Sequence, residues 1–266
     1  MSYGLFALKA PAYQRDVTFL KRYGTSKFRL IQMASVRTKG VELPKKSPKY
    51  SVNDQKLDNN ICRARSKIRE YGFCNDWSLF VTLTLDPSKM DVFDLSALNR
   101  TLSQWFRDYR KKHDVNVKYL LIPEKHKSGA IHLHGFLLGL PVSHLRLFYS
   151  SEHLPYYILN QLSQGKLLYT WPAYEQKFGY VVVEPIRNKD RAVSYITKYV
   201  TKDLALAVSD LGAHLYYSSQ GLAKATELKR GRLTKEFIPD FQNDFCRGKW
   251  YSQRDTSEQR LREYIL

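Results

Sequence analysis

Two β-rich segments joined by a short polar turn constrain the fold of this chain more than any other feature. Residues 117–124 (VKYLLIPE) and 130–139 (AIHLHGFLLG) are rich in β-branched, aromatic and other apolar side chains, as strands are. Only KHKSG (125–129) separates them. Because parallel strands need a crossover of a dozen residues or more, a connection this short predicts an antiparallel hairpin.

The segments around the hairpin predict an α+β fold. Residues 78–86 (SLFVTLTLD) alternate and read as a strand, and 178–186 (FGYVVVEPI) form a fourth strand. Residues 95–112 place apolar side chains at the three- and four-residue spacing of an amphipathic helix. Further helices are predicted at 59–71 and 190–206, and 145–164 has a mixed, partly helical pattern. The order β-α-β-β-(α)-β-α indicates a central antiparallel sheet with helices packed on it.

Composition divides the 266 residues into three predicted parts. Residues 1–60 are basic and irregular, with two prolines in LPKKSPKYS, and are predicted to form an N-terminal arm in which RLIQMASV is one strand. Residues 61–206 carry the motifs described below and are predicted to be the catalytic domain. Residues 207–266 are predicted to be a basic, aromatic C-terminal extension that ends in a helix within RDTSEQRLREYIL.

The charge balance favours a polyanionic partner. The chain has 43 Lys and Arg against 25 Asp and Glu, a net charge of +18, and a pI near 9.7. An excess of this size is typical of proteins that bind nucleic acid or acidic membrane surfaces. The 19 Tyr and 13 Phe favour nucleic acid, because aromatic rings stack on unpaired bases. A basic protein without such a partner is the alternative.

Cysteine usage and hydropathy indicate the compartment. Cys62, Cys74 and Cys246 form no CxxC pair, which is typical of reduced thiols in the cytosol. The longest apolar runs, at 181–183 and 137–140, are too short to span a membrane. We therefore expect a cytoplasmic protein with no membrane partner.

The strongest chemical signal is His132-Leu133-His134 in the second strand of the hairpin. Side chains two residues apart on a strand point to the same face, so both imidazoles can converge on one ion while Leu133 faces the core. If the turn is centred on Ser128, Glu124 lies directly across from His132. Two imidazoles and a carboxylate suit a divalent cation such as Mg²⁺ or Mn²⁺. A register shifted by one residue would turn Glu124 away, and Asp86 would then be the reserve ligand.

A second signal lies in SYITKYVTKD (194–203), which contains Tyr-x-x-Lys twice. Tyr195, Lys198, Tyr199 and Lys202 are spaced i, i+3, i+4 and i+7, which is one stripe of a helix. One interpretation is a solvated basic face. The other is a pair of tyrosine nucleophiles, because a neighbouring ammonium group or a metal-bound phosphate favours ionisation of a phenol whose ordinary pKa is about 10.

Together these motifs resemble those of the HUH endonucleases, specifically the rolling-circle replication initiators. FVTLTLD is similar to their first motif, IHLHGF to their second, and YITKYVTK to their third. Two tyrosines separated by three residues resemble the phage-type initiators that use two nucleophiles. The stretches CNDWSLFVTLTLDPSKMD and YLLIPEKHKSGAIHLHGFLLGLP are most similar to rolling-circle replication proteins of phages and plasmids in Gram-positive bacteria, and the resemblance covers residues 60–205.

The resemblance implies an HUH fold with a ferredoxin-like or RRM-like palm and a metal-dependent endonuclease and strand transferase. His132, His134 and Glu124 would hold Mg²⁺ or Mn²⁺. Tyr195 would attack a phosphodiester of single-stranded DNA, giving a 5′-phosphotyrosine and a free 3′-OH, and Tyr199 would make the second transfer. Lys198 would assist Tyr195, and Lys202 would assist Tyr199.

The expected partners follow from the same resemblance. They are single-stranded DNA at a replication origin and a host helicase and polymerase, in the cytoplasm of a bacterial host cell, and no GxxxxGK[ST] loop for a fused helicase occurs. The side chains predicted to contact DNA are two threonines of the first motif and four cations of the helix at 59–71, namely Thr82, Thr84, Arg63, Arg65, Lys67 and Arg69.

Three alternatives remain open at the level of sequence. An HUH transposase or relaxase would use the same chemistry, although two tyrosines about sixty residues after the His-x-His motif favour an initiator. A non-catalytic single-stranded nucleic-acid-binding module would bind DNA without either tyrosine. A metallohydrolase without a covalent step would depend on His132 but tolerate Tyr195→Phe.

Overall fold

The computed structural model describes residues 11–41, 54–125, 128–201, 203–205 and 214–266, with only the backbone at 54–56. The chain divides into two compact units, one formed by Met1–Asn53 with Lys224–Leu266 and one formed by Asp54–Ala223. Among the described helices, none combines the length and the apolar character needed to cross a membrane.

The first unit is built on a five-stranded antiparallel sheet. Its described elements are β1 (Tyr13–Tyr23), β2 (Lys27–Arg37), β10 (Thr226–Arg232), β11 (Phe241–Gln242), β12 (Cys246–Ser252) and the helix α6 (Glu258–Arg262). The strand order is β10-β1-β2-β12-β11, so strands from the predicted arm lie between strands from the predicted extension in one sheet. The strand predicted within the arm is confirmed as β2, and the C-terminal helix is confirmed as α6.

The second unit contains a seven-stranded sheet and five helices among its described residues. These elements are α1 (Asp54–Cys74), β3 (Leu79–Thr84), α2 (Leu95–His113), β4 (Lys118–Lys125), β5 (Ile131–Leu138), β6 (Arg146–Leu147), α3 (Tyr156–Ser163), β7 (Tyr169–Thr170), α4 (Pro172–Lys177), β8 (Val181–Pro185), α5 (Lys189–Lys198) and β9 (Tyr217–Ser218). The sheet order is β6-β7-β8-β3-β5-β4-β9, and every pairing is antiparallel. The predicted α+β class with a central antiparallel sheet is confirmed.

Helices pack on the second sheet because their apolar stripes match its buried residues. Leu98, Leu102 and Phe106 of α2 are buried in the same core as Leu133 and Phe136 of β5. The Asp94 carboxylate accepts hydrogen bonds from the first free N–H groups of α2 and so fixes where this helix begins.

A close contact between α1 and α5 positions the helix that carries the tyrosines. Gly72 of α1 faces Val193 of α5, and a Cβ at position 72 would lie 2.7 Å from Val193 Cγ2. Val193, Ile196 and Val200 are fully buried, which confirms the predicted apolar face. The opposite side of α5 is thereby directed away from the core.

The predicted extent of this helix was wrong at its C-terminal end. α5 ends at Lys198 instead of continuing to residue 206. The Val200 carbonyl accepts a hydrogen bond from Arg65 Nε instead of from a later turn. Thr201 Oγ1 accepts from the backbone N–H of Leu204, as the cap of a new helical turn does. A tertiary contact and a cap therefore replace the last turns of the predicted helix.

Candidate active site

The hairpin register brings the predicted metal ligands to one face of the sheet. β4 and β5 pair Glu124 with His132, which confirms the register inferred from a turn centred on Ser128. Leu133 is fully buried on the other face, as predicted. β3 pairs with the other edge of β5 and places Thr82 opposite His134 and Thr84 opposite His132.

Each imidazole is held by a threonine hydroxyl. Thr82 Oγ1 lies 3.2 Å from His134 Nδ1, and Thr84 Oγ1 lies 3.4 Å from His132 Nδ1. A hydroxyl on Nδ1 directs Nε2 outward as the coordinating or donating nitrogen. The two threonines were predicted to contact DNA, which stays a prediction, and their observed partners are the two histidines.

His134 and Glu124 are in direct contact. His134 Nε2 lies 2.7 Å from Glu124 Oε2, and its N–H donates to the carboxylate when Nδ1 accepts from Thr82. The His134 side chain is 10% exposed, whereas that of Glu124 is 37% exposed. This pair therefore joins a nearly buried ring to a carboxylate that reaches solvent.

The donor chemistry of this face fits a divalent cation. Glu124, His132 and His134 line one cavity, and the threonine contacts orient both rings as outer contacts do around metal-binding histidines. In the part of the chain that the structure describes, no three His, Cys, Asp or Glu side chains are grouped closely enough to hold an ion together. The predicted reserve ligand Asp86 instead accepts hydrogen bonds from Ser88 N and Oγ, which lower the pKa of its carboxyl group.

The two tyrosines meet beside these ligands. Tyr199 Oη donates a hydrogen bond of 2.6 Å to Tyr195 Oη. Tyr195 is 47% exposed, lines the same cavity as His132 and His134, and packs edge-on against Phe80 of β3. The phenol oxygen of Tyr195 is thus both accessible and supported by a donor.

Tyr199 has a different environment from Tyr195. Its ring stacks on His134 with centroids 4.2 Å apart and planes 3° from parallel. Burial raises the pKa of Tyr199 well above its usual value, and the neighbouring Tyr195 and Glu124 raise it further. The Tyr199 hydroxyl therefore keeps its proton and acts as a hydrogen-bond donor.

The two predicted lysine partners of the tyrosines are placed differently. Lys198 is exposed at the last residue of α5. Lys202 lies outside the described residues. Tyr199 follows the helix as its C-terminal cap residue, so the predicted stripe of four side chains is carried by α5 only as far as Lys198.

The four cations of α1 that were predicted to contact DNA have diverse positions. Arg63 is exposed and lines a second cavity together with Lys67. Lys67 pairs with Glu70, and Arg65 donates to the Val200 carbonyl. Arg69 is half-buried. Their contacts with DNA stay a prediction.

Several cavity residues were missed by the sequence-based reasoning. The cavity that contains the histidines has a volume of about 900 Å³ and extends along α3, β8 and the start of α5. The missed side chains share this lining and include Tyr157, Gln161, Lys166, Glu184, Arg187 and Arg191. Two arginines four residues apart, directly before the first tyrosine, were a usable signal for the last two.

Comparison with known proteins supports the functional interpretation of this region. No curated protein and no solved structure matches the chain significantly. A family model for the replication-associated protein ORF2 matches residues 78–204, which begin just before β3 and include both histidines and both tyrosines. Over this stretch the chain is similar to replication-associated proteins of the ORF2 family, and the similarity supports a role in the initiation of DNA replication.

Proposed function

We propose that this protein nicks and rejoins single-stranded DNA at a replication origin and so starts and ends rolling-circle replication. The observation that supports this most is the placement of Tyr195. Its accessible hydroxyl lies in one cavity with His132, His134 and Glu124, and it accepts a hydrogen bond from Tyr199. A nucleophile with a supporting donor and neighbouring phosphate-polarising groups is what a transesterification site requires.

The proposed reaction exchanges one phosphodiester bond for another. Tyr195 Oη attacks the phosphorus, the bond from phosphorus to the 3′ oxygen breaks, and that oxygen takes up a proton. The products are a 5′-phosphotyrosine and a free 3′-OH. Because the new ester conserves the energy of the broken bond, a later 3′-OH can reverse the step and rejoin the strand.

Tyr199 supports the first transfer and is the proposed nucleophile of the second. While protonated, it donates to Tyr195 Oη, and such a donor stabilises the negative charge of the ionised Tyr195. Because the two hydroxyl oxygens are 2.6 Å apart, a phosphate at one is within reach of the other. Lys198 and Lys202 stay proposed partners of the leaving oxygens.

A divalent cation, Mg²⁺ or Mn²⁺, is the proposed cofactor. His132, His134 and Glu124 would hold it, and when bound it would polarise the phosphate and stabilise charge in the transition state. Arg187 and Arg191, both exposed in the same cavity, are placed to bind the flanking phosphates. A host helicase and a host polymerase would then use the free 3′-OH.

The first test is covalent capture of DNA. We expect the full chain, incubated with a pool of single-stranded oligonucleotides and Mn²⁺ or Mg²⁺, to give a protein–DNA band that survives denaturing electrophoresis. EDTA should reduce this band to background because the phosphate is no longer polarised.

Origin DNA from the genetic element that encodes the protein provides the matched substrate for this test. Absence of a covalent band with both the pool and that DNA would contradict the proposal. A band that persists unchanged in EDTA would contradict only the role of the metal.

A second prediction concerns the hydroxyl that holds His134. Thr82→Val keeps the shape of the side chain but removes the contact to Nδ1, so we expect Mn²⁺ affinity to fall about 10- to 100-fold. Calorimetric titration of the protein with Mn²⁺, without DNA, measures this directly. Thr82→Ser keeps the hydroxyl and is the control, and equal affinities of the valine and serine variants would contradict the assigned role.

A further inference from the structure

Part of the 900 Å³ cavity is lined by groups that the nicking reaction does not use. Tyr157 and Gln161 lie on α3, Lys166 and Leu167 follow that helix, and Glu184 lies on β8. They share the cavity with Tyr195, so a strand whose phosphate reaches Tyr195 continues along them. We call these five residues the α3–β8 wall.

The polar side chains of the wall form one connected cluster. Lys166 Nζ donates to Gln161 Oε1 at 3.0 Å and lies 3.9 Å from Glu184 Oε2. The Lys166 and Glu184 side chains are 40% and 34% exposed, so both keep hydrogen-bonding capacity toward the cavity. The cluster therefore presents an ammonium donor next to a carboxylate acceptor.

A carboxylate is unexpected in a cavity that is to receive a polyanion. Glu184 repels phosphate, and the chain as a whole carries a net charge of +18. Arg187 and Arg191 line the same cavity and supply the cations that phosphates need. The chemistry that suits a carboxylate here is acceptance of N–H groups from the edge of a base.

The wall also offers two apolar surfaces for the faces of a base. Tyr157 and Leu167 are 53% and 51% exposed although both are large and apolar. Stacking on an aromatic ring binds an unpaired base irrespective of its sequence. Below them Ile158 and Leu168 are fully buried in a separate small core, which fixes α3 and the following segment as a support.

We propose that Glu184 and Lys166 recognise the Watson–Crick edge of one guanine near the scissile phosphate, with Tyr157 stacked on its ring. This inference rests on the proposed function, because it assumes that single-stranded DNA occupies the cavity. It makes the α3–β8 wall a determinant of the nicking sequence.

Guanine fits this cluster better than the other bases. Its Watson–Crick edge presents two adjacent donors, N1–H and the N2 amino group, beside the acceptor O6. A carboxylate can accept both donors at once, and the ammonium group can donate to O6. Adenine and cytosine each present one donor group on this edge, and thymine presents a single N–H between two acceptors.

The test is selection of bound DNA by the full-length Tyr195→Phe variant, which lacks the nucleophile. A pool of random single-stranded oligonucleotides is bound, recovered and sequenced. We expect guanine to be enriched at one position. Glu184→Gln should lower that enrichment about tenfold, as loss of a bidentate base contact does, and Lys166→Met should lower it independently.

The control is Glu227→Gln, which makes the same change of charge at an exposed position of β10 in the other unit. Thermal unfolding of each variant shows whether it is folded, and two separate substitutions protect the test against the failure of one. Guanine enrichment that Glu184→Gln and Lys166→Met leave unchanged, or enrichment of another base, would overturn the inference.

The same experiment distinguishes this inference from the proposed function. A guanine preference that depends on Glu184, together with no covalent adduct from the unmodified chain, would support base recognition and reject nicking. An adduct without a base preference that depends on Glu184 would do the reverse. No binding of any single-stranded DNA would overturn both.

Discussion

Replacing Tyr195 with phenylalanine is expected to abolish the covalent protein–DNA adduct. The change removes only the oxygen that would attack phosphorus, and the edge-on packing of the ring against Phe80 remains. Tyr199→Phe should reduce the adduct about 10- to 100-fold without abolishing it. A hydrogen bond to a charged group contributes about 1.5–3 kcal/mol, which corresponds to that range of rates.

The measurement is the rate of adduct formation on a denaturing gel with one cleavable oligonucleotide. Tyr149→Phe is the matched control because Tyr149 is 58% exposed and lies outside the lining of the catalytic cavity. An adduct that survives in Tyr195→Phe but is lost in Tyr199→Phe would reverse the two roles. Equal loss in all three variants would show that the effect is not specific to the site.

Gly135→Ala is expected to have the largest effect on stability. Gly135 follows His134 in the central strand β5, between β3 and β4. A Cβ at this position would lie 1.9 Å from the carbonyl oxygen of Leu120, so two backbones in the middle of the sheet would have to separate. We expect a loss of more than about 4 kcal/mol, which is a large part of the stability of an ordinary domain.

Urea unfolding followed by circular dichroism, together with soluble yield, measures this loss. Gly165→Ala is the control because nothing lies within 4 Å of its added Cβ, although φ is +74°. That backbone angle alone costs about 1–2 kcal/mol. A Gly135→Ala variant no less stable than Gly165→Ala would contradict the close approach of β5 to β4.

The site could be predicted from sequence where its geometry is local. The pairing of Glu124 with His132 follows from a five-residue connection, and the shared face of His132 and His134 follows from the pleat of one strand. Neither depends on distant parts of the chain. The buried face of α5, including Val193, was predictable for the same reason, because helical periodicity is local.

The remainder depended on contacts between distant residues. α5 ends early because Arg65, 135 residues away, takes the Val200 carbonyl. β1 was missed because YQRDVTFLKRY carries charges throughout, and it is held between β2 and β10. The α3–β8 wall combines residues of a helix, a loop and a strand, and no single segment shows their proximity.

The strand order of the first unit has a consequence for how the chain is made. β1 needs β10 as its neighbour, and β2 needs β12, yet about two hundred residues separate these strands. At about 5–20 residues per second, a ribosome finishes β10 roughly 10–40 s after β1. The unit that contains both tyrosines is complete before β10 appears. A nascent or prematurely ended chain would therefore have the catalytic unit formed, while the hairpin made first still has open edges and must be protected from aggregation.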